Sequence, residues 1–185
     1  MPWDKILLAA AAGGAVLFVW NAIVWMALQY HNRDFRKLDD SQGVSDALTK
    51  SGATPGFYNI PHYHEYAGGM KDPAFHERYK KGPNAFIVVG KPGPCMEGSA
   101  FVKGFVLTVL EGFAIAVLLH FSGGNVVGMP RTIGFCAALG AFSHGGAAIA
   151  QSIWMQFPWA HAWKTVFDGV VGYALAGLVV RMILG

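Results

Sequence analysis

Residues 6–28, ILLAAAAGGAVLFVWNAIVWMAL, run without a charge and with a single amide, Asn21. A helix rises about 1.5 Å per residue, so about 20 apolar residues cross a hydrocarbon core. The run is too long for the apolar part of a signal peptide. Its alanines end in Gly13 and Gly14 instead of a cleavage site followed by a polar start, so it reads as an uncleaved anchor. Three further runs of similar length follow at 101–121, 132–155 and 164–184. The expected fold is a membrane all-α protein, with four transmembrane helices and a small α+β extramembrane domain inserted between helices 1 and 2. The divisions are an anchor over 1–29, a polar domain over 30–100 and a three-helix membrane segment over 101–185.

Composition agrees with this reading. Of 185 residues, 54% are apolar and 14% charged, where a soluble domain carries about a quarter charged. A net charge of +3 is too mild for a nucleic-acid binder. Cys95 and Cys136 match no zinc or thioredoxin spacing and are too few for a disulfide framework.

The polar stretch 30–100 holds nine Lys/Arg and eight Asp/Glu. Ser45 to Lys50 reads as a short helix stopped by Gly52, and Asp72-Pro73 opens another that Gly82-Pro83 ends. Phe57 to Ile60 and Ala85 to Val89 read as strands that can pair. About 60 residues make a marginal free-standing core, so this unit is expected to lean on the membrane helices or a partner. An even number of spans puts both ends of the chain on one side. With the polar stretch outside, the inner ends carry Lys5, Arg131 and Arg181, as the positive-inside rule asks. The expected location is a bacterial inner membrane with both termini cytoplasmic.

Depth along each helix sorts the polar side chains. Glu111 and His144 both lie roughly 15–18 Å in, on helices joined by a short connection and therefore expected to be antiparallel neighbours. A midplane carboxylate needs a partner or a cavity, which predicts a Glu111–His144 hydrogen bond or ion pair. A second layer of Asn21, Lys103, Gln151, Ser152, Lys164 and Asp168 lies roughly 22–30 Å in, near the outer face. Lys164 and Asp168, four apart, are expected to pair. Glycines and alanines along the last two helices permit close packing. Trp154, Trp159 and Trp163, with Trp20 and Trp25, form an aromatic belt at one interface. Trp154, Trp159, Trp163, Tyr63 and Tyr66 are candidate partner contacts.

His62, His64 and His76, with Met70, Cys95 and Met96 nearby, make a copper-like set of soft and imidazole ligands, with copper or another transition metal as its occupant. On an extended strand His62 and His64 would point the same way. The competing reading is a His/Tyr-rich docking surface, and no cofactor is otherwise expected. His120 and His144 differ too much in depth to clamp one haem. His31 and His161 sit near the outer surface and read as interfacial. No hydrolase, kinase, P-loop or dinucleotide motif occurs, so no catalytic residue is assigned.

The segments PGFYNIP (55–61), MKDPAFHERYKKGPNAF (70–86) and QSIWMQFPWAHAWKTVFDGVVGYALAGLVV (151–180) resemble a family of uncharacterised bacterial membrane proteins of roughly 180 residues. The resemblance implies one anchor, a polar extracytoplasmic segment and three further spans, and it brings no activity and no catalytic residue. Three functional expectations follow. The first is a non-catalytic accessory or structural subunit of a larger membrane complex, of respiratory or photosynthetic type. The second is a small oligomeric transporter or channel using Glu111, His144 and Asp168. The third is a metal-binding redox membrane protein. Membrane lipid and either a larger complex or further copies of the chain are the expected partners, with no nucleic acid.

Overall fold

The computed structural model describes residues 3–122, 126 and 128–185. Among the described residues, four helices are long and apolar enough to cross a membrane: Trp3–Leu28, Gly98–Phe121, Met129–Met155 and Trp159–Leu184. The chain has the character of a multi-pass membrane protein. It divides into two compact units, one of Met1–Arg36 with Met96–Gly185 and one of Lys37–Cys95.

In the helical unit, α1 spans Trp3–Ala22 and continues as a π-helical stretch, Ile23–Leu28. Gln29 then takes a left-handed conformation at φ 52°, and Tyr30–Asp34 form a 3-10 turn. This turn belongs to the helical unit, so the boundary expected at residue 30 falls several residues later. The long helices α4 (Gly98–Phe121), α5 (Met129–Met155) and α6 (Trp159–Leu184) each begin three to five residues before the apolar runs predict. Their ends are set by polar and proline-bearing flanks, Met129-Pro130 opening α5 and Pro158 capping α6.

Helix α1 packs on α4 and α6, and α5 packs on α6. Helices α4 and α5, consecutive in the chain, do not lie side by side, contrary to the expectation that their short connection makes them neighbours. The physical reason lies in the small residues. At Gly14 an added Cβ would run into the Val109 backbone of α4, and at Gly140 into the carbonyl of Gly169 on α6. These two backbone-to-backbone approaches fix α1 to α4 and α5 to α6, and van der Waals contact at such sites is what binds helices in lipid. Ile6, Leu17, Ile115, Leu119, Tyr173 and Val180 fill the interior between α1, α4 and α6.

The second unit contains α2 (Ser41–Lys50), β1 (Gly56–Ile60), α3 (Pro73–Lys81) and β2 (Ala85–Val89). The two strands pair, as expected, and do so antiparallel with Tyr58 opposite Ile87. Asp40 caps α2 through the Gly43 amide, and Asp72 caps α3 through the Ala74 amide. Amide hydrogen bonds from Gly68 and Ala74 also hold the Asp72 carboxyl below the usual range. The core of this unit is thin. No residue of α2 is buried, and α3 buries only Phe75. Opposite pairing puts Phe57 and Val88 on one sheet face together with Phe86, and all three are exposed.

Candidate functional site

Two polar constellations occur in the helical unit. The first is built by the turn that follows α1 and the opening turns of α6. Because the π-helical stretch and the left-handed Gln29 reverse the chain, His31 and Asp34 come back against Lys164 and Asp168. His31, 1% exposed, lies between two carboxylates. Its Nδ1 is 3.1 Å from Asp34 Oδ2 and its Nε2 is 2.7 Å from Asp168 Oδ2. The ring therefore bridges the two carboxylates through both of its nitrogens. Trp25 stacks on the same ring at 4.5 Å.

The remaining acceptor sites are also filled. His161 Nδ1 is 3.0 Å from Asp34 Oδ2, and Lys164 Nζ donates both to Asp34 Oδ1 and, at 2.9 Å, to the Tyr30 carbonyl. Tyr30 donates its hydroxyl to Asp168 Oδ1, and Trp20 Nε1 donates to the Asp168 carbonyl at 3.1 Å. Lys164 is the cationic partner of Asp34. Burial opposes ionisation of Asp34, yet the hydrogen bonds from Lys164, His161 and His31 prevail and bring its pKa down to about 2. Burial, the hydrogen bond to Asp168 and the nearby Asp168 charge together raise the Tyr30 hydroxyl well above its usual range. No buried side-chain polar atom among the described residues lacks a partner.

This arrangement corrects two expectations. Lys164 and Asp168 do not pair with each other, because a different partner from the turn reaches each one first. His31 is not an interfacial residue but the centre of the cluster. Asp34, Tyr30 and His31 escape a reading by apolar periodicity, because they lie in a polar segment with none. The signal that could have found them is depth. They follow the outer end of α1, at the level where Lys164 and Asp168 enter α6, and charges at that level seek each other.

The second constellation lines an open groove of about 280 Å³ bordered by α4, α5 and α6. Glu111 of α4, Ser143, His144, Ala147, Ala148 and Gln151 of α5, and His161 and Thr165 of α6 form its walls. Ser143 Oγ lies 3.0 Å from His144 Nδ1 and donates to the Tyr173 hydroxyl at 3.2 Å. Glu111 and His144 share the groove, but the expected hydrogen bond between them is not made, since α4 and α5 stand apart. Among the described residues Glu111 has no hydrogen bond or ion pair. Of the outer layer, Gln151 reaches the groove, Asn21 is exposed, and Ser152 bonds back to the Ala148 carbonyl at 3.2 Å.

In the second unit His62 and His64 do not alternate along a strand. His62 precedes the 3-10 turn Tyr63–Glu65, its Nδ1 accepts from the His64 amide, and the two rings stack at 5.1 Å. Tyr63 packs against both rings, Tyr66 meets Phe75 edge-on at 5.5 Å, and His76 is exposed on α3. Among the described residues, the group whose ligand atoms converge for a metal is His31, Asp34 and His161, not His62, His64 and His76. Trp154 is 79% exposed, and Trp159 and Trp163 stack at 6.4 Å, both also exposed.

No protein-family model matches the chain, and no curated protein or solved structure matches it either.

Proposed function

We propose that the chain is a non-catalytic subunit of a larger membrane assembly, with a transmembrane helix of a partner seated in the groove between α4 and α5. The observation that carries this reading is the groove itself. A carboxylate near the middle of α4 and an imidazole near the middle of α5 line a trough that the chain's own helices leave open. Polar and ionisable groups at that depth are costly against hydrocarbon and belong against protein or a cavity. Small residues on the same wall, Ala147 and Ala148, allow a helix backbone to approach closely. The exposed Phe57, Phe86 and Val88 face of the second unit supports the same reading, being apolar surface without a cover. The setting we infer is a bacterial inner membrane with both termini cytoplasmic, on the strength of four spans and of Lys5, Arg131 and Arg181 at one set of helix ends.

The same groove favours one second reading. Copies of the chain arranged around Glu111, His144 and Gln151 would enclose a polar conduit, as a small channel or transporter requires. Asp168 does not join it, being held by His31 and Tyr30. Mass and composition of the particle, extracted gently from its native membrane, separate the two. A stoichiometric second polypeptide is expected, and Ala147→Trp, which fills the groove from an exposed position, is expected to release it without changing the thermal midpoint of the chain. A homo-oligomer free of other chains replaces the subunit reading with the conduit. A lone chain refutes both.

A further inference from the structure

We propose that His31, Asp34 and His161 form a binding site for one divalent transition-metal ion, with zinc its preferred occupant. The inference stands apart from the groove's proposed partner.

Three ligand atoms of the right kinds converge. Asp34 Oδ2 lies 3.1 Å from His31 Nδ1 and 3.0 Å from His161 Nδ1, and all three ligand positions fall within 4.8 Å of one another. Bonds of 2.0–2.1 Å in a tetrahedral site set neighbouring N and O ligands about 3.3 Å apart. The two shorter edges of the triangle are therefore nearly those of an occupied site, and an ion fits by displacing the protons now shared between Asp34 and each ring. Two imidazoles and one carboxylate suit zinc and other borderline divalent ions, whereas calcium and magnesium call for oxygen alone.

The surroundings are those of a ligand set. A metal-bound histidine generally gives its second ring nitrogen to a carboxylate, which fixes the tautomer and raises its basicity. His31 does this: with Nδ1 turned to the ion, Nε2 donates to Asp168 at 2.7 Å, and Tyr30 orients Asp168 from its other oxygen. Lys164 holds the oxygen of Asp34 that the ion does not use. Trp25 stacks on the His31 ring and prevents its rotation. The His161 side chain is partly exposed, so water can reach the ligand set.

The test uses the full chain in detergent, purified without a polyhistidine tag and stripped with a chelator. Zinc chloride titrated into it is expected to bind at one ion per chain and to raise the thermal midpoint. Cobalt(II) is expected to give the intense visible bands of a tetrahedral N/O site. His161→Asn, which alters a partly exposed ligand, is expected to weaken zinc at least tenfold and to abolish the cobalt bands. His62→Asn with His64→Asn is expected to leave both unchanged. Absence of stoichiometric zinc binding by the unaltered chain, or binding that His161→Asn leaves intact while the double variant removes it, overturns the assignment. If His161→Asn does not fold, the cobalt spectrum of the unaltered chain decides, since octahedral or absent bands overturn a tetrahedral zinc site at these residues.

Discussion

The cluster around His31 and the groove around Glu111 gather similar side chains within one helical unit, and they end in opposite states. In the cluster every carboxylate oxygen has a donor, supplied by a turn that reaches across to α6. In the groove Glu111 and His144 sit on helices that are not packed side by side, because glycines pull α4 to α1 and α5 to α6. The difference teaches that a membrane-level charge is satisfied internally when the chain re-enters beside it. A charge on a helix whose neighbours are fixed elsewhere stays available for something outside the chain.

The strongest way to break this comparison is Asp168→Ala. It strips His31 and Tyr30 of their acceptor, and opening a buried ion pair from one side costs about 3–5 kcal/mol. A large fall in the thermal midpoint in mild detergent, followed by tryptophan fluorescence, is expected. An unchanged midpoint would mean that the cluster is not the clamp described here.

A smaller effect comes from pH. Asp34 titrates at about 2 in the folded chain, below about 3.9 for a free aspartate. Its folded pKa is depressed, so its contribution is complete above the unfolded value and is lost as pH falls from about 4 towards 2. Midpoints of the unaltered chain and of Asp34→Asn, measured between pH 6 and 2.5, are expected to converge at the acid end. Parallel curves would remove Asp34 from the account.

The smallest effect is expected at Glu111→Gln in the isolated chain. With no hydrogen bond or ion pair to lose among the described residues, the midpoint in detergent is expected to move by less than the equivalent of about 0.5 kcal/mol. A drop as large as that of Asp168→Ala would show that Glu111 is engaged within the chain after all, and the contrast between the two regions would dissolve.

Much of the architecture can be read directly from residue order. Four apolar runs predict four helices, and Pro-Gly punctuation with the β-branched run at 85–89 predicts two strands that can pair. Asp72-Pro73 and Gly82 mark the ends of α3, through a side-chain cap and a residue at φ 62°. What periodicity cannot convey is which helices touch. The short connection between α4 and α5 argues for adjacency, and only the backbone approach at Gly14 and Gly140 overrides it. The site was half legible. Lys164 and Asp168 stand out as charges near a helix start, and their spacing invites a mutual pair. Their true partners are 130 or more residues away in a segment with no pattern of its own. His31 offers no local sign that it is buried, because its burial is created by α6 and Trp25.

The π-helical stretch at the end of α1 has one more implication. Gln29 donates to the Val24 carbonyl, five residues back, at 2.9 Å, where an α-helix would reach four. A wider turn of this kind holds one residue more than the α-helix it interrupts. It therefore acts as a phase adjuster between two faces of the same segment. The side of α1 that meets α4 and α6 is set by one angular register, and the turn that carries His31 by another, offset by about 100°. Deleting a single residue there would be expected to keep α1 packed on α4 while turning the His31 side chain away from α6.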